Sequence, residues 1–180
     1  MSSCFVGIDP GKKGAICKIS VNVNGEVSLV EVANAPMIGK EYDLQKMARF
    51  FHELQNPYCV IEKQQTMPKQ GAVSAYTIGR GEALWEMGAA ANFIPYAMVR
   101  PKEWQKVFGI SSTKKNDTKS QSIVIAQRLF PKVDLRVSER ARNPSSDKAD
   151  AILIAEYARR TYLSANPKKF KRTREFRRRK

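Results

Sequence analysis

The chain has 180 residues, a formal net charge of +15 and 42% hydrophobic residues. That is the size and apolar content of one α/β domain with a single core, and no apolar run approaches the roughly 20 residues of a bilayer-spanning helix. The strand-like segment from Cys4 to Ile8 starts almost at Met1, which leaves no room for a signal or transit peptide and predicts a soluble, cytoplasmic protein.

The charge is one-sided. Residues 1–97 carry 9 Lys+Arg and 9 Asp+Glu, whereas residues 98–180 carry 23 and 8. The last 15 residues alone hold 9 cations against Glu175. Such a field favours a polyanionic partner, nucleic acid ahead of an anionic membrane. Three scattered cysteines, Cys4, Cys17 and Cys59, lie in apolar segments without C-x-x-C spacing, which argues against zinc and for a reducing compartment. The single histidine, His52, falls in a predicted helix. Any chemistry must therefore rest on carboxylates.

In chain order, residues 4–9 (CFVGID) read as a buried strand, and 14–21 and 26–33 alternate apolar and polar. Asn24-Gly25 between the last two is a hairpin signal. Leu44, Met47, Ala48, Phe51 and Leu54 recur at helical spacing, with Asp43 as N-cap. Asn56-Pro57 ends that helix, and 58–62 (YCVIE) is a short buried strand. Residues 64–71 form a polar loop, and 72–92 a helix interrupted by Gly79, Gly81 and Gly88. Pro95 to Val99 is a strand and Pro101 to Phe108 a short helix. A polar, mobile stretch over 111–119 precedes a helix over 120–130, a basic loop over 133–145 and a helix over 146–162. The order predicts one mixed five-stranded sheet with an N-terminal antiparallel meander, flanked by helices. Residues 1–165 form the domain and 166–180 a basic, disordered tail.

Four acids carry the functional reading. Asp9 ends an apolar strand and precedes the turn Pro10-Gly11-Lys12-Lys13-Gly14; Glu62 ends the fourth strand and precedes a loop. Adjacent strands would bring the two together. Asp147 and Asp150 are spaced i, i+3 at the start of the last helix and share a face, where negative charge also suits the helix N-terminus. Taken singly, Asp9 fits a turn, Glu62 an exposed strand end and Asp147 a cap. Asp150 is harder to explain, because Ala149, Ala151, Ile152 and Ile154 surround it and a buried carboxylate without a cation is costly. Four acids at one site repel each other unless metal neutralises them, and oxygen ligands suit Mg²⁺ or Mn²⁺. Two such ions about 3.5–4 Å apart activate a water and stabilise the leaving oxygen of a phosphodiester.

Val6-Gly7-Ile8-Asp9-Pro10-Gly11 resembles the first-strand motif of RuvC-type Holliday junction resolvases. Val60-Ile61-Glu62 resembles their second motif, and Asp147-x-x-Asp150 followed by Ala151-x-x-Ile154-Ala155 their C-terminal one. Lys119-Ser120-Gln121 is similar to a further family segment. Gly79 to Trp85 and Val99 to Trp104 look most like the phage and chloroplast branches. The resemblance runs from about residue 4 to 160. It implies an RNase H-like fold and a homodimeric, Mg²⁺-dependent endonuclease with two ions per site. Such an enzyme binds four-way DNA junctions and nicks two strands of like polarity. Asp9, Glu62, Asp147 and Asp150 become the catalytic metal ligands, and Lys119 a catalytic cation near the scissile phosphate. The chain departs from the family where an aromatic often follows the second acid by three positions. Gln65 stands there, and Met67 is the nearest apolar candidate to wedge a junction.

The DNA-binding candidates are Met67 with Lys12, Lys13, Lys69, Arg80, Lys114, Lys115, Arg136, Arg140 and Arg142. Trp85 and Trp104 fit core packing better than base stacking. Gly79 and Gly88 mark either a close helix–helix approach, as at a dimer interface, or an irregular helix. The competing functions are a nuclease of the same fold acting on forks, flaps or RNA–DNA hybrids, and a non-catalytic DNA-binding protein. An actin-like or sugar-kinase ATPase also opens on Asp-x-Gly, but needs two such domains.

Overall fold

The computed structural model describes residues 3–65, 71–112 and 117–165. The expected meander is present: β1 (Ser3–Asp9) pairs antiparallel with β2 (Ala15–Val21), which pairs antiparallel with β3 (Val27–Asn34). A small hairpin of β4 (Met37–Ile38) and β5 (Glu41–Tyr42) follows, which two-residue strands hide from any periodicity reading. Then come α1 (Leu44–His52), β6 (Pro57–Glu62), α2 (Ala72–Ala91), β7 (Tyr96–Val99), α3 (Pro101–Val107), α4 (Thr118–Leu129) and α5 (Ser146–Ala165). The Asp43 carboxylate caps α1 by accepting from the Lys46 N–H at 3.0 Å. The sheet order is β3-β2-β1-β6-β7, with β6 parallel to both β1 and β7. This is the mixed five-stranded sheet that the element order predicts.

Two cores sandwich the sheet. Phe5, Cys17, Ile19 and Val60 face α3, α4 and α5 on one side; Val6, Ile8, Cys59 and Ile61 face α1 and α2 on the other. Each fully buried large side chain contributes about 1.5–3 kcal/mol. β1 is buried on both faces because it is the middle strand, which explains its unbroken apolar run. α5 lies directly on it. A Cβ at Gly7 would stand 2.2 Å from the Ala155 nitrogen and 2.4 Å from the Ala151 carbonyl oxygen. Only glycine permits so close an approach, and the alanines of α5 complete it.

α2 is one continuous helix despite its glycines. Gly88 does mark a close helix–helix approach, but to α1 of the same chain: a Cβ there would meet the Phe51 ring at 2.4 Å. Gly79 faces open space. Trp85 is fully buried, edge-on to Phe50 and Phe51. α4 starts at Thr118, two residues before its apolar periodicity does. His52 is exposed and the three cysteines are buried and free. Among the described residues no helix is long and apolar enough to cross a membrane.

Candidate active site

β1 and β6 run parallel with Ile8 opposite Ile61, so Asp9 and Glu62 stand side by side at the next position, at the carboxyl edge of the sheet. Strand alternation turns both toward the face that α5 covers, since Phe5 and Val60 belong to that core. α5 starts at the same edge. Ser145 caps it, its hydroxyl accepting from the Lys148 N–H at 3.3 Å. Asp147 lies in the first turn and Asp150 one turn later. Three separate elements thus deliver the four acids to one edge.

The acids feel one another. Burial, then the Asp147 charge, raises the Asp9 pKa to about 6. Burial, then the charges of Asp9 and Asp150, raises Glu62 to about 8. Burial raises Asp150 to about 7, with Asp9 and Asp147 adding to it. Lys119, exposed in the first turn of α4, pulls the other way on both Asp9 and Asp150. The expected catalytic cation therefore lies within electrostatic reach of the acids.

Neutral donors hold the cluster. The Trp104 indole N–H donates to Glu62 Oε2 at 3.3 Å. Trp104 is thus core, as its sequence context suggests, and also a contact to the site. Gln64 donates its side-chain amide to Asp9 Oδ1 at 3.4 Å, and its backbone N–H donates to the Glu82 carboxylate at 2.6 Å. The Ser146 hydroxyl donates to Asp147 Oδ1 at 3.3 Å. Ser122 is 1% exposed and lowers the Asp150 pKa by its proximity, yet it falls short of hydrogen-bond geometry. Its Oγ and Asp150 Oδ1 are both buried without a hydrogen-bond partner. Sequence reading missed Gln64 and Ser122. The available signals were faint: a polar residue two positions after Glu62, and a serine one turn from Lys119 on the helix face that packs inward.

Whether a metal fits can be tested on these atoms. An orphaned buried carboxylate oxygen, three acids with raised pKa values and an all-oxygen donor set have the chemistry of a hard divalent cation site. Among the described residues, however, no three acidic, histidine or cysteine side chains converge into a ready-made cage. The donors fit; their final positions would be set by the ion.

The basic candidates divide. Lys12 donates to the Lys40 carbonyl oxygen at 2.7 Å and lies 3.8 Å from Glu41, which also pairs with Arg80. Lys13 is exposed in the turn after Asp9. Arg136 forks onto Asp134, with Nη2 to Oδ2 at 2.8 Å, and holds that carboxyl down to about 2. Arg140 and Arg142 are exposed on the 133–145 loop. This loop is pinned by Lys148, whose ammonium donates to the Arg136 carbonyl oxygen at 2.5 Å. Met67, Lys69, Lys114, Lys115 and the tail over 166–180 lie outside the described residues. A groove of about 750 Å³ between β3 and residues 129–139 contains none of the four acids. The acids lie apart from that groove, at the carboxyl edge of the sheet, with Asp9, Glu62 and Asp150 largely buried.

No protein-family model matches the chain, and no curated protein matches it either. Solved structures do. The chain is similar to RuvC of Thermus thermophilus (TM-score 0.55, 16% identity, 93% of this chain and 97% of that one). It is similar to the T. thermophilus RuvC solved in complex with a Holliday junction substrate (TM-score 0.53, 16% identity, covering 92% and 95%). It is also similar to the yeast mitochondrial Holliday junction resolvase Ydc2 (TM-score 0.52, 19% identity, covering 91% and 80%). At these identities the likeness is one of fold: over nearly its whole length the chain has the RNase H-like architecture of the RuvC-type resolvases.

Proposed function

We propose that this protein is a metal-dependent endodeoxyribonuclease that resolves four-way DNA junctions as a homodimer. What carries the reading is that β1, β6 and α5 bring Asp9, Glu62, Asp147 and Asp150 to one sheet edge, where they sense one another's charge and Asp9 and Asp150 also sense Lys119. A resolvase fold and a basic second half of the chain support it.

Asp9, Glu62, Asp147 and Asp150 would hold Mg²⁺ or Mn²⁺, which supplies Lewis acidity to make water nucleophilic and to neutralise charge on the departing oxygen. The chain's own groups prepare the rest. Asp9 is the hub, since both Glu62 and Asp150 sense its charge. The Trp104 N–H fixes one oxygen of Glu62 and leaves the other to the site. The Gln64 amide orients Asp9 in the same way. Lys119, whose charge reaches Asp9 and Asp150, would stabilise negative charge developing on the phosphate. Glu62 and Asp150 must lose protons to ligate, so metal affinity should rise with pH.

Dimerisation rests on α2. Its solvent-facing stripe includes Val73 (81% exposed), Tyr76 (68%) and Met87 (65%), with Gly79 and Ala83 between them and Ala90 beyond. The charged residues of this helix, Arg80, Glu82 and Glu86, are half-buried and lie off that stripe. A helix apolar on both faces asks for cover on both, and an isologous pair of α2 helices supplies it. Met87→Glu should shift a dimer to monomer in sedimentation; a monomeric wild type would overturn this.

A second reading, cleavage of forks or flaps, has one observation in its favour: exposed Gln65 stands where the resolvases often carry an aromatic wedge. One assay separates the two. Mg²⁺-dependent nicking of a four-way junction, a fork and an RNA–DNA hybrid should give paired, symmetric nicks in junction strands of like polarity. Preference for the fork or hybrid overturns the resolvase reading, and inactivity on all three with both Mg²⁺ and Mn²⁺ overturns the nuclease reading.

A further inference from the structure

Next to the acids, a second set of contacts ties three elements to the turn after Asp9. The Tyr42 hydroxyl, from β5, donates to the Pro10 carbonyl oxygen at 3.0 Å. α2 crosses there, so close that a Cβ at Gly81 would lie 2.4 Å from that hydroxyl and 2.5 Å from the Pro10 oxygen. This packing collects three charges at the rim of the site. Lys12 comes from the turn, Arg80 from α2 and Glu41 from β5. Glu41 Oε1 lies 3.8 Å from the Lys12 ammonium, and its Oε2 accepts from Arg80 Nη1. The Lys12 and Arg80 side chains are about a third exposed, at 31% and 33%, and Glu41 is 60% exposed.

One solvent-facing carboxylate thus spans two cations, one on the turn that presents Asp9 and one on the helix packed against that turn. Its two oxygens offer Lys12 and Arg80 what the two non-bridging oxygens of a phosphodiester offer. We propose that Lys12 and Arg80 form a subsite for a backbone phosphate of the DNA strand entering the site, and that Glu41 fills it in the free protein and must be displaced. The inference rests on the nuclease reading and adds a specificity-determining residue to it. Exposed ion pairs are weak, so a strand already anchored by other contacts displaces Glu41 easily. A duplex touching the rim in passing leaves the pair closed and gains nothing from it. Glu41 thereby raises discrimination against linear DNA.

The test uses the full chain, in chelator, with a labelled four-way junction and a linear duplex of equal length, titrated across a salt series. Glu41→Gln is compared with Glu31→Gln, which removes the same charge from the Lys18 pair on the β2–β3 ribbon. Glu41→Gln should tighten duplex binding about two- to fivefold more than Glu31→Gln does. It should steepen the duplex salt slope by about 0.9 per newly engaged phosphate. Junction affinity should change less, so the junction-to-duplex ratio should fall. Adding Arg80→Gln to Glu41→Gln should remove the gain. If wild type binds both DNAs but Glu41→Gln matches Glu31→Gln, or the ratio is unchanged, the Glu41 subsite is overturned and the nuclease reading stands. A wild type with no salt-sensitive DNA binding overturns both.

Discussion

Glu62 is held in place at a cost. It sits between Asp9, Asp150 and the Trp104 indole, and burial with its acidic neighbours lifts its pKa to about 8. A carboxyl in the unfolded chain titrates near 4.3. Below that pH both states are protonated and Glu62 costs nothing. As the pH rises from about 4 toward 8 the unfolded chain ionises first, so the metal-free fold loses stability across that window. Glu62→Gln should therefore be more stable than wild type at pH 8 in chelator by on the order of 1–3 kcal/mol, and so melt at higher temperature, with the gap closing near pH 4. Millimolar Mg²⁺ should raise the melting temperature of wild type at pH 8 and of Glu62→Gln much less. A wild type whose metal-free stability is flat from pH 4 to 8 would remove the strained-acid account. For the chemistry, Asp9→Asn should abolish nicking while leaving junction affinity close to wild type, because affinity comes from basic contacts. Nicking by Asp9→Asn at wild-type rate would refute its ligand role. Lys119→Ala should slow single-turnover cleavage at saturating enzyme by about 10²-fold or more and weaken binding little; an unchanged rate would make it a surface lysine.

At the scale of elements, the site is only as accurate as the seat of α5 on β1. Gly7 sets that seat, since any side chain there runs into the Ala151 carbonyl and the Ala155 nitrogen. Backbone cannot yield as a side chain does, so Gly7→Ala should cost about 1–3 kcal/mol or more. It should also cut nicking at a temperature where the variant is still folded, because Asp147 and Asp150 would move with the helix. Thermal unfolding and a nicking assay on the same sample check both halves; full activity would show that α5 tolerates the shift. Gly7 was legible in the sequence as part of a motif, but its reason was not: contact between β1 and α5 joins residues nearly 150 positions apart. The strands and long helices were legible because apolar alternation and helical spacing are local signals, and strand tips ending in Asp9 and Glu62 followed from them. The β4–β5 hairpin was not, because two-residue strands carry no period. Nor were the roles of Trp104 and Gln64, because a hydrogen bond to an acid 42 or 55 residues away leaves no local trace, nor that of Ser122, which only packs close to Asp150.

For the whole molecule, the division of charge is the governing feature. The first 97 residues are neutral by count, while the rest carry 23 cations against 8 anions, 9 of those cations after position 165. All four acids and Lys119 lie before that point, so the terminal cations should serve affinity and leave the chemistry alone. Each phosphate neutralised releases counterions and adds about 0.9 to the fall of log K with log salt. Phosphate contacts carry no sequence or shape information by themselves. Truncation after Pro167 should therefore weaken junction and linear-duplex binding by similar factors and flatten both salt slopes. The cleavage rate at saturating enzyme should stay within about twofold. The effect should be the reverse of Glu41→Gln: one change lowers affinity without touching selectivity, the other raises duplex affinity and lowers selectivity. Two outcomes would reject the purely electrostatic role: junction affinity that falls while duplex affinity holds, which makes the segment a junction clasp, or slopes that do not change, which points its cations at a partner other than DNA.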